Sequence, residues 1–261
     1  MQAAFDRRRI NGPEESFSPT FTNEPQESIL ENVHRTRKDR NISDIRPIFL
    51  QPGLISQANG SAYIETQRTK IACSVYGPRQ SKNTTYNEKG KLNVEVKFAP
   101  FSCERRRTPL RDAEDRSIAT AIQQALISSV RLEQFPKSTI DIFLIIIEAD
   151  GVEGCIASGS TAASTALADA GIDMYGLVTS CTAAVVGADI WIDPTQEESN
   201  IANGIFILSC MPALGIVTNV WQSGRMTPSQ VLACIDVCDS RCTDIHSIVA
   251  QSLLVNARSK T

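Results

Sequence analysis

Between Ile45 and Arg79 the chain carries the pattern that most narrows its fold: Ile45-Arg46-Pro47-Ile48, then Gly60-Ser61-Ala62-Tyr63-Ile64-Glu65, then Thr69-Lys70-Ile71 running on to Tyr76-Gly77-Pro78-Arg79. This stretch predicts two strands and a turn, followed by a third strand. Gly60 supplies a flexible turn position, and Ser61 to Thr66 alternates small or apolar with polar residues, the period of a strand. Gln67-Arg68-Thr69-Lys70 is short and polar enough for a hairpin connection. The run from Ile71 to Tyr76 is expected to end at Gly77-Pro78, because proline has no N–H to give to a ladder.

The chain has 261 residues, 42% of them hydrophobic, enough for one large or two small cores. Its net charge of -3 and pI of about 5.5 argue against a surface that is basic throughout, so any contact with nucleic acid must be local. The longest apolar runs, Ile140 to Ile147 and Ile205 to Val220, are too short or too interrupted by Pro212 and Gly215 for the ~20 residues of a membrane span. The start, Met1 to Arg9, lacks the apolar core of a secretory signal, which predicts an intracellular protein with no membrane partner. Eight cysteines then read as reduced thiols rather than a disulfide framework. Cys234, Cys238, Cys242 and His246 stand four apart along one side of a predicted helix. The first and last of them lie roughly 18 Å apart at 1.5 Å per residue, too far for one metal ion, so they are expected to form a packed core stripe.

From Asn11 to Asp44 three prolines and many polar residues carry no sustained period, and residues 1–44 are expected to form an extended arm. Its basic cluster, His34 to Arg40, reads as a solvated charge cluster, with a nuclear address or RNA contact as the alternative. Leu92 to Phe98 alternates as a half-buried strand stopped by Pro100. A helix opens at Asp112-Ala113-Glu114-Asp115, with acids in its first turn, and keeps an apolar stripe through Ile118, Ile122, Ala125 and Leu126. Ile140 to Ile147 reads as a central strand buried on both faces. Ser160 to Ala170 predicts a small-residue helix closed by Gly171. Strands are expected over Gly176 to Gly187, Ile190 to Asp193, Ile205 to Ser209 and Leu214 to Trp221. Thr227, Pro228 and Gln230 announce the last helix. The order is that of an α+β protein.

Several of these segments, namely Ile45 to Arg79, Ala99-Pro100-Phe101-Ser102, Phe135-Pro136-Lys137-Ser138, Glu148-Ala149-Asp150-Gly151 and Ala166-Leu167-Ala168-Asp169-Ala170-Gly171, stand in the order of an RNase PH-like domain. The chain resembles the RNase PH family over roughly residues 45–255, with 256–261 as a tail. The opening Asp6 to Ser16 resembles a branch that supplies a subunit of the eukaryotic exosome ring. The resemblance implies a single α+β domain of the ribosomal protein S5 domain 2-like type, with mixed sheets and packed helices. It also implies work in the nucleus, nucleolus and cytoplasm, without a cofactor. Implied partners are other RNase PH-like ring subunits, an S1-domain cap protein, single-stranded RNA and an associated hydrolytic exoribonuclease.

Members of the family either degrade RNA by phosphate attack or serve as inert staves of a ring. Phosphorolysis needs a cationic, hydroxyl-lined phosphate cradle at a helix amino end, together with acids for a divalent ion or general acid. Against the Gly-Gly-Thr-Arg-Thr segment of active relatives this chain has Gly151-Val152-Glu153-Gly154-Cys155-Ile156-Ala157, which places Ile156 where the Arg would be. Gly151-Val152-Glu153-Gly154 also fits the Gly-x-x-Gly clamp of KH domains, but its acid and its context favour a plain turn. Where active relatives have two Asp six apart, this chain offers Glu197 and Asn203, and an amide cannot supply the charge a magnesium pair needs. The resemblance therefore predicts a degenerate site and no catalysis or bound metal. The rival readings are a phosphate-dependent 3'-to-5' exoribonuclease using Glu197 and an arginine from elsewhere, and a free-standing RNA-binding module. In the family the loop holding Arg105, Arg106, Arg107 and Arg111 faces the ring pore. There the four arginines either line an RNA path or act as a solvated loop or salt-bridge partner.

Overall fold

The computed structural model of the chain describes residues 37, 40–80, 88–103, 106–107, 113–187 and 189–260, with the side chains of 259 and 260 excepted. The opening hairpin forms as its pattern requires. Strand β2 (Gly60–Thr66) pairs antiparallel with β3 (Thr69–Gln80), Thr66 facing Thr69 across a two-residue turn of Gln67 and Arg68. Strand β1 (Ile48–Pro52) lies on the other side of β2.

Two expectations for this region are corrected. Gly60 is not the turn: it is the first residue of β2, and its role is close approach, since a Cβ there would overlap the backbone of Ala166 and Ala170 in the helix beneath. Nor does β3 stop at Gly77-Pro78. Its pairing shifts register between Tyr76 and Arg79 and resumes at Arg79 opposite Thr139. The proline falls within that irregularity, where no ladder N–H is required of it.

Strand β4 (Lys91–Phe98) runs parallel to β5 (Ser138–Glu148), completing a mixed sheet in the order β1-β2-β3-β5-β4. Here the apolar run misleads: β5 is next to the edge, not central, and only one of its faces is covered. Ile140, Ile142, Leu144 and Ile146 point into the core, whereas Phe143 is 36% and Ile145 49% exposed.

Helices α1 (Ala113–Ile127) and α2 (Val152–Asp169) cover the inner face. The stripe Ile118, Ile122, Ala125 and Leu126 is buried, each such large side chain contributing about 1.5–3 kcal/mol by leaving water. Helix α2 begins at Val152, eight residues before the expected Ser160, because the Cys155-Ile156-Ala157 turn is as apolar and buried as the rest of it. Gly171 closes it at φ 70°.

Behind α2 lies the second sheet, in the order β7-β6-β8-β9, all pairs antiparallel: β6 (Thr179–Val186), β7 (Asp189–Ile192), β8 (Gly204–Met211) and β9 (Ile216–Gly224). A short helix α3 (Gln196–Ile201) joins β7 to β8. Leu214, expected in the last strand, sits instead in a 3-10 turn that Gly215 ends at φ 64°. The outer helix α4 (Pro228–Lys260) starts at the expected capping box: the Thr227 N–H donates to Gln230 Oε1 at 2.9 Å, and the Gln230 N–H to Thr227 Oγ1 at 3.4 Å. It runs through the expected tail, since Asn256 to Lys260 holds no glycine or proline to stop it.

Residues 39–261 make up one compact unit, while a second, residues 1–38, lies outside the described residues apart from Arg37. Most of the expected arm, with the Asp6–Ser16 motif and most of the basic cluster, falls there. No helix among the described residues is long and apolar enough to cross a membrane.

Candidate functional site

Two helix amino ends meet at Asp150. It stands after β5 and two residues before α2, and its Oδ1 accepts from the backbone N–H of Gln196, the first residue of α3, at 3.2 Å. Its Oδ2 accepts from Nη1 of Arg46, in an ion pair buried on both sides. Arg46 is 3% exposed. It also grips Asp193 with two parallel bonds, Nε to Oδ2 at 2.8 Å and Nη2 to Oδ1 at 2.6 Å, while its backbone N–H donates to Oδ2 at 3.0 Å. Arg40 approaches from outside, 3.4 Å from Asp193 Oδ2 and 3.3 Å from Glu198 Oε2, and donates to the Asp193 carbonyl. Glu198 closes a capping box on α3 with Thr195.

Burial alone would push the Asp193 carboxyl up, but the hydrogen bonds and charge of Arg46, with Arg40 behind it, hold it below the ordinary carboxylate range. Burial opposes the charge on Arg46 as well, and its two carboxylates outweigh that and raise its pKa. This cation, beside the first turn of α2, is thus enclosed by acids. Such a network can fasten the 40–46 segment to both helix starts, and it has no donor fork left open for a phosphate.

The residues assigned to the degenerate chemistry land in different surroundings. Ile156 is 3% exposed and belongs to the core beneath the first sheet. Glu153, in the first turn of α2, has a carboxylate oxygen 3.4 Å from where a Cβ on Gly151 would sit, so an acid of the chain already stands at this helix amino end. Glu197 lies exposed on α3. Asn203 is exposed just before β8, its backbone N–H donating to Val185 at 2.9 Å and its carbonyl accepting from Arg225 at 3.0 Å. No hydrogen bond or ion pair among the described residues joins Ile156, Glu197 and Asn203, and no cluster of three or more His, Cys, Asp or Glu suited to a metal ion occurs among them. These residues do not fit a divalent ion, and no step is derived through one.

Of the arginine loop, Arg105 and Arg111 lie outside the described residues. Arg106 is exposed. Arg107 folds back on the chain: its guanidinium lies 3.9 Å from the Phe98 ring centroid, Nη2 is 3.0 Å from Glu114, Nη1 is 3.7 Å from Asp115, and Nε donates to Cys103 Sγ at 3.3 Å. The loop is tied beside α2 by the Ala149 N–H, which donates to the Ser102 carbonyl at 2.9 Å.

On α4, Cys234, Cys238 and Cys242 are fully buried against Cys181 and Cys210 of the second sheet, with His246 half-buried beyond them. Burial pushes the Cys234 thiol up to about 11, the signature of a packing thiol rather than a reactive one. The sequence reading missed the Arg46, Asp150 and Asp193 network. Its visible signal was an acid after each of two strands, directly ahead of a helix start; the pairing itself is a tertiary fact.

Profiles of the 3' exoribonuclease family match residues 44–173 as its domain 1 and residues 176–238 as its domain 2. The chain belongs to the RNase PH family. Among curated relatives, exosome complex component mtr3 of Schizosaccharomyces pombe is 34% identical over 254 residues, covering 96% of each chain. Exosome complex component Rrp41 of Pyrococcus horikoshii is 38% identical over 209 residues, covering 79% of this chain and 83% of its own. The RNase PH-like fold recurs in a solved structure described as the Archaeoglobus fulgidus exosome with RNA bound to the active site, with a TM-score of 0.73 at 17% identity, covering 85% of this chain and 96% of that one.

Proposed function

We propose that this chain is a non-catalytic subunit of the RNA exosome core ring, supporting assembly and the threading of single-stranded RNA for 3'-to-5' processing and degradation. Its partners in this reading are other RNase PH-like ring subunits, an S1-domain cap protein and an associated hydrolytic exoribonuclease, in nucleus, nucleolus and cytoplasm. The observation that carries it is the content of the α2 amino end: an acid, Glu153, stands there, and the Ile156 side chain is turned into the core. An acid there repels phosphate, and a buried aliphatic side chain cannot bind it. Relatedness over nearly the whole length to an exosome component supports the same reading. Of the two described arginines of the 105–111 loop, Arg106 is exposed and is the one placed to touch an RNA backbone, while Arg107 is engaged within the chain.

Two measurements test this. Affinity purification of the full chain should bring down other RNase PH-like chains in stoichiometric amounts. The purified chain, alone and with those partners, should release no nucleoside diphosphate from single-stranded RNA with phosphate and magnesium. Release that disappears with Glu197→Ala would replace this reading with that of a phosphorolytic nuclease.

A further inference from the structure

Each sheet has two edges, and three of the four are guarded. In the first sheet β1 is short and ends in Pro52, and β4 carries Lys91, Glu95 and Lys97. In the second sheet β7 is short and begins at Asp189, and the segment ahead of β1 lies along it: the Ile192 N–H donates to the Ile42 carbonyl at 2.9 Å. Shortness, proline, charge and a covering segment all keep unpaired ladder groups away from other chains. Strand β9 has none of these. Its nine residues include no charge and no proline, and among the described residues it pairs with β8 alone. Its one irregularity is a bulge at Thr218, since Ser209 faces Asn219 while Cys210 faces Val217, and residues 219–224 pair regularly beyond it. Apolar side chains gather at the same place: Leu214, Ile216, Val217 and Val220 are each 46–49% exposed.

An open row of N–H and C=O groups fits one kind of occupant, another extended strand, which answers donors and acceptors together. Charge narrows the choice further. Two copies of β9 can meet antiparallel about a twofold axis without setting any charge against its like, a contact that opposes self-pairing in a charged strand. We propose that β9 is a homodimerisation edge. In the free chain it pairs antiparallel with β9 of a second copy, which joins two four-stranded sheets into one continuous sheet and covers Val220 and its apolar neighbours. The dimer belongs to the chain without partners, so it is independent of the ring proposed above.

The test uses the full chain, purified alone. Light scattering at micromolar concentration should give twice the 28.5 kDa of one chain, falling toward a single chain on dilution. Amide hydrogen exchange over residues 219–224 should slow as the concentration rises through that transition. Val217→Lys together with Val220→Lys places on two exposed positions the residue that natural edges use as a block. This double variant should be a monomer at every concentration, with an unchanged far-UV circular dichroism spectrum. Ile248→Lys adds the same charge to the exposed face of α4 and should leave the dimer intact. A native chain that stays monomeric overturns the proposal, and so does a dimer whose formation leaves exchange at 219–224 unchanged. A dimer that survives the double substitution, or that Ile248→Lys also dissolves, overturns it as well, because either result puts the contact elsewhere.

Discussion

Arg46 ties three parts of this structure together, because one buried guanidinium answers the buried carboxylate of Asp150 and the half-buried one of Asp193. Arg46→Met keeps much of the volume but leaves Asp150 without its counter-charge and Asp193 with Arg40 alone, and should cost about 3–5 kcal/mol in denaturant unfolding. The same pair sets a pH dependence. The folded Asp193 pKa is depressed, so the stability it carries is whole above the ordinary carboxylate value of about 3.9 and is lost as pH falls through the lower folded value. The urea midpoint of the native chain should therefore fall more steeply below about pH 4 than that of Asp193→Asn. Gly60→Ala tests a different force. The new Cβ meets α2 backbone on two sides rather than a side chain that can turn away, so the loss should reach the upper end of the ~1–3 kcal/mol range for overpacking.

At the scale of elements, β5 has one face in the core and one in the open, and its two faces should answer mutation differently. Leu144→Ala should cost about 2–5 kcal/mol through lost burial and the cavity it leaves. Ile145→Ser, one residue on and pointing outward, should change unfolding free energy by about 0.5 kcal/mol or less in the isolated chain. Equal losses at the two positions would mean that the outer face is covered. Helix α2 shows the complementary logic. Its run of Ala, Ser, Thr and Gly lets both sheets approach closely, and its buried hydroxyls return their hydrogen bonds to the preceding turn, as Ser160 does to Ile156 at 2.7 Å and Thr165 to Thr161 at 2.8 Å.

At the scale of the whole molecule, the chain carries a net charge of -3, so RNA contact within a ring must come from local cations. Arg106→Glu should weaken RNA crosslinking to the assembled ring and leave thermal stability of the chain unchanged. Arg107→Glu should do the reverse. It sets a third acid beside Glu114 and Asp115 and removes a guanidinium from the Phe98 face, lowering stability by about 1–3 kcal/mol. If both substitutions abolish crosslinking without a stability change, the intramolecular role given to Arg107 is wrong.

Local signals fixed much of this fold. Period-2 alternation marked β2 and β4, an apolar stripe marked α1, Gly171 marked the end of α2, and the Thr227 and Gln230 box marked the start of α4, because each depends on interactions within a few residues. The family was legible in the same way, as motifs in order along the chain. Tertiary structure alone decided which face of the apolar β5 run is covered, why Gly60 has no side chain, that the register shift carries β3 past Pro78, and that Arg46 reaches across more than a hundred positions to Asp150 and Asp193. Each of these depends on what packs against a residue from a distant part of the chain, and a composition or a period holds no record of that neighbour.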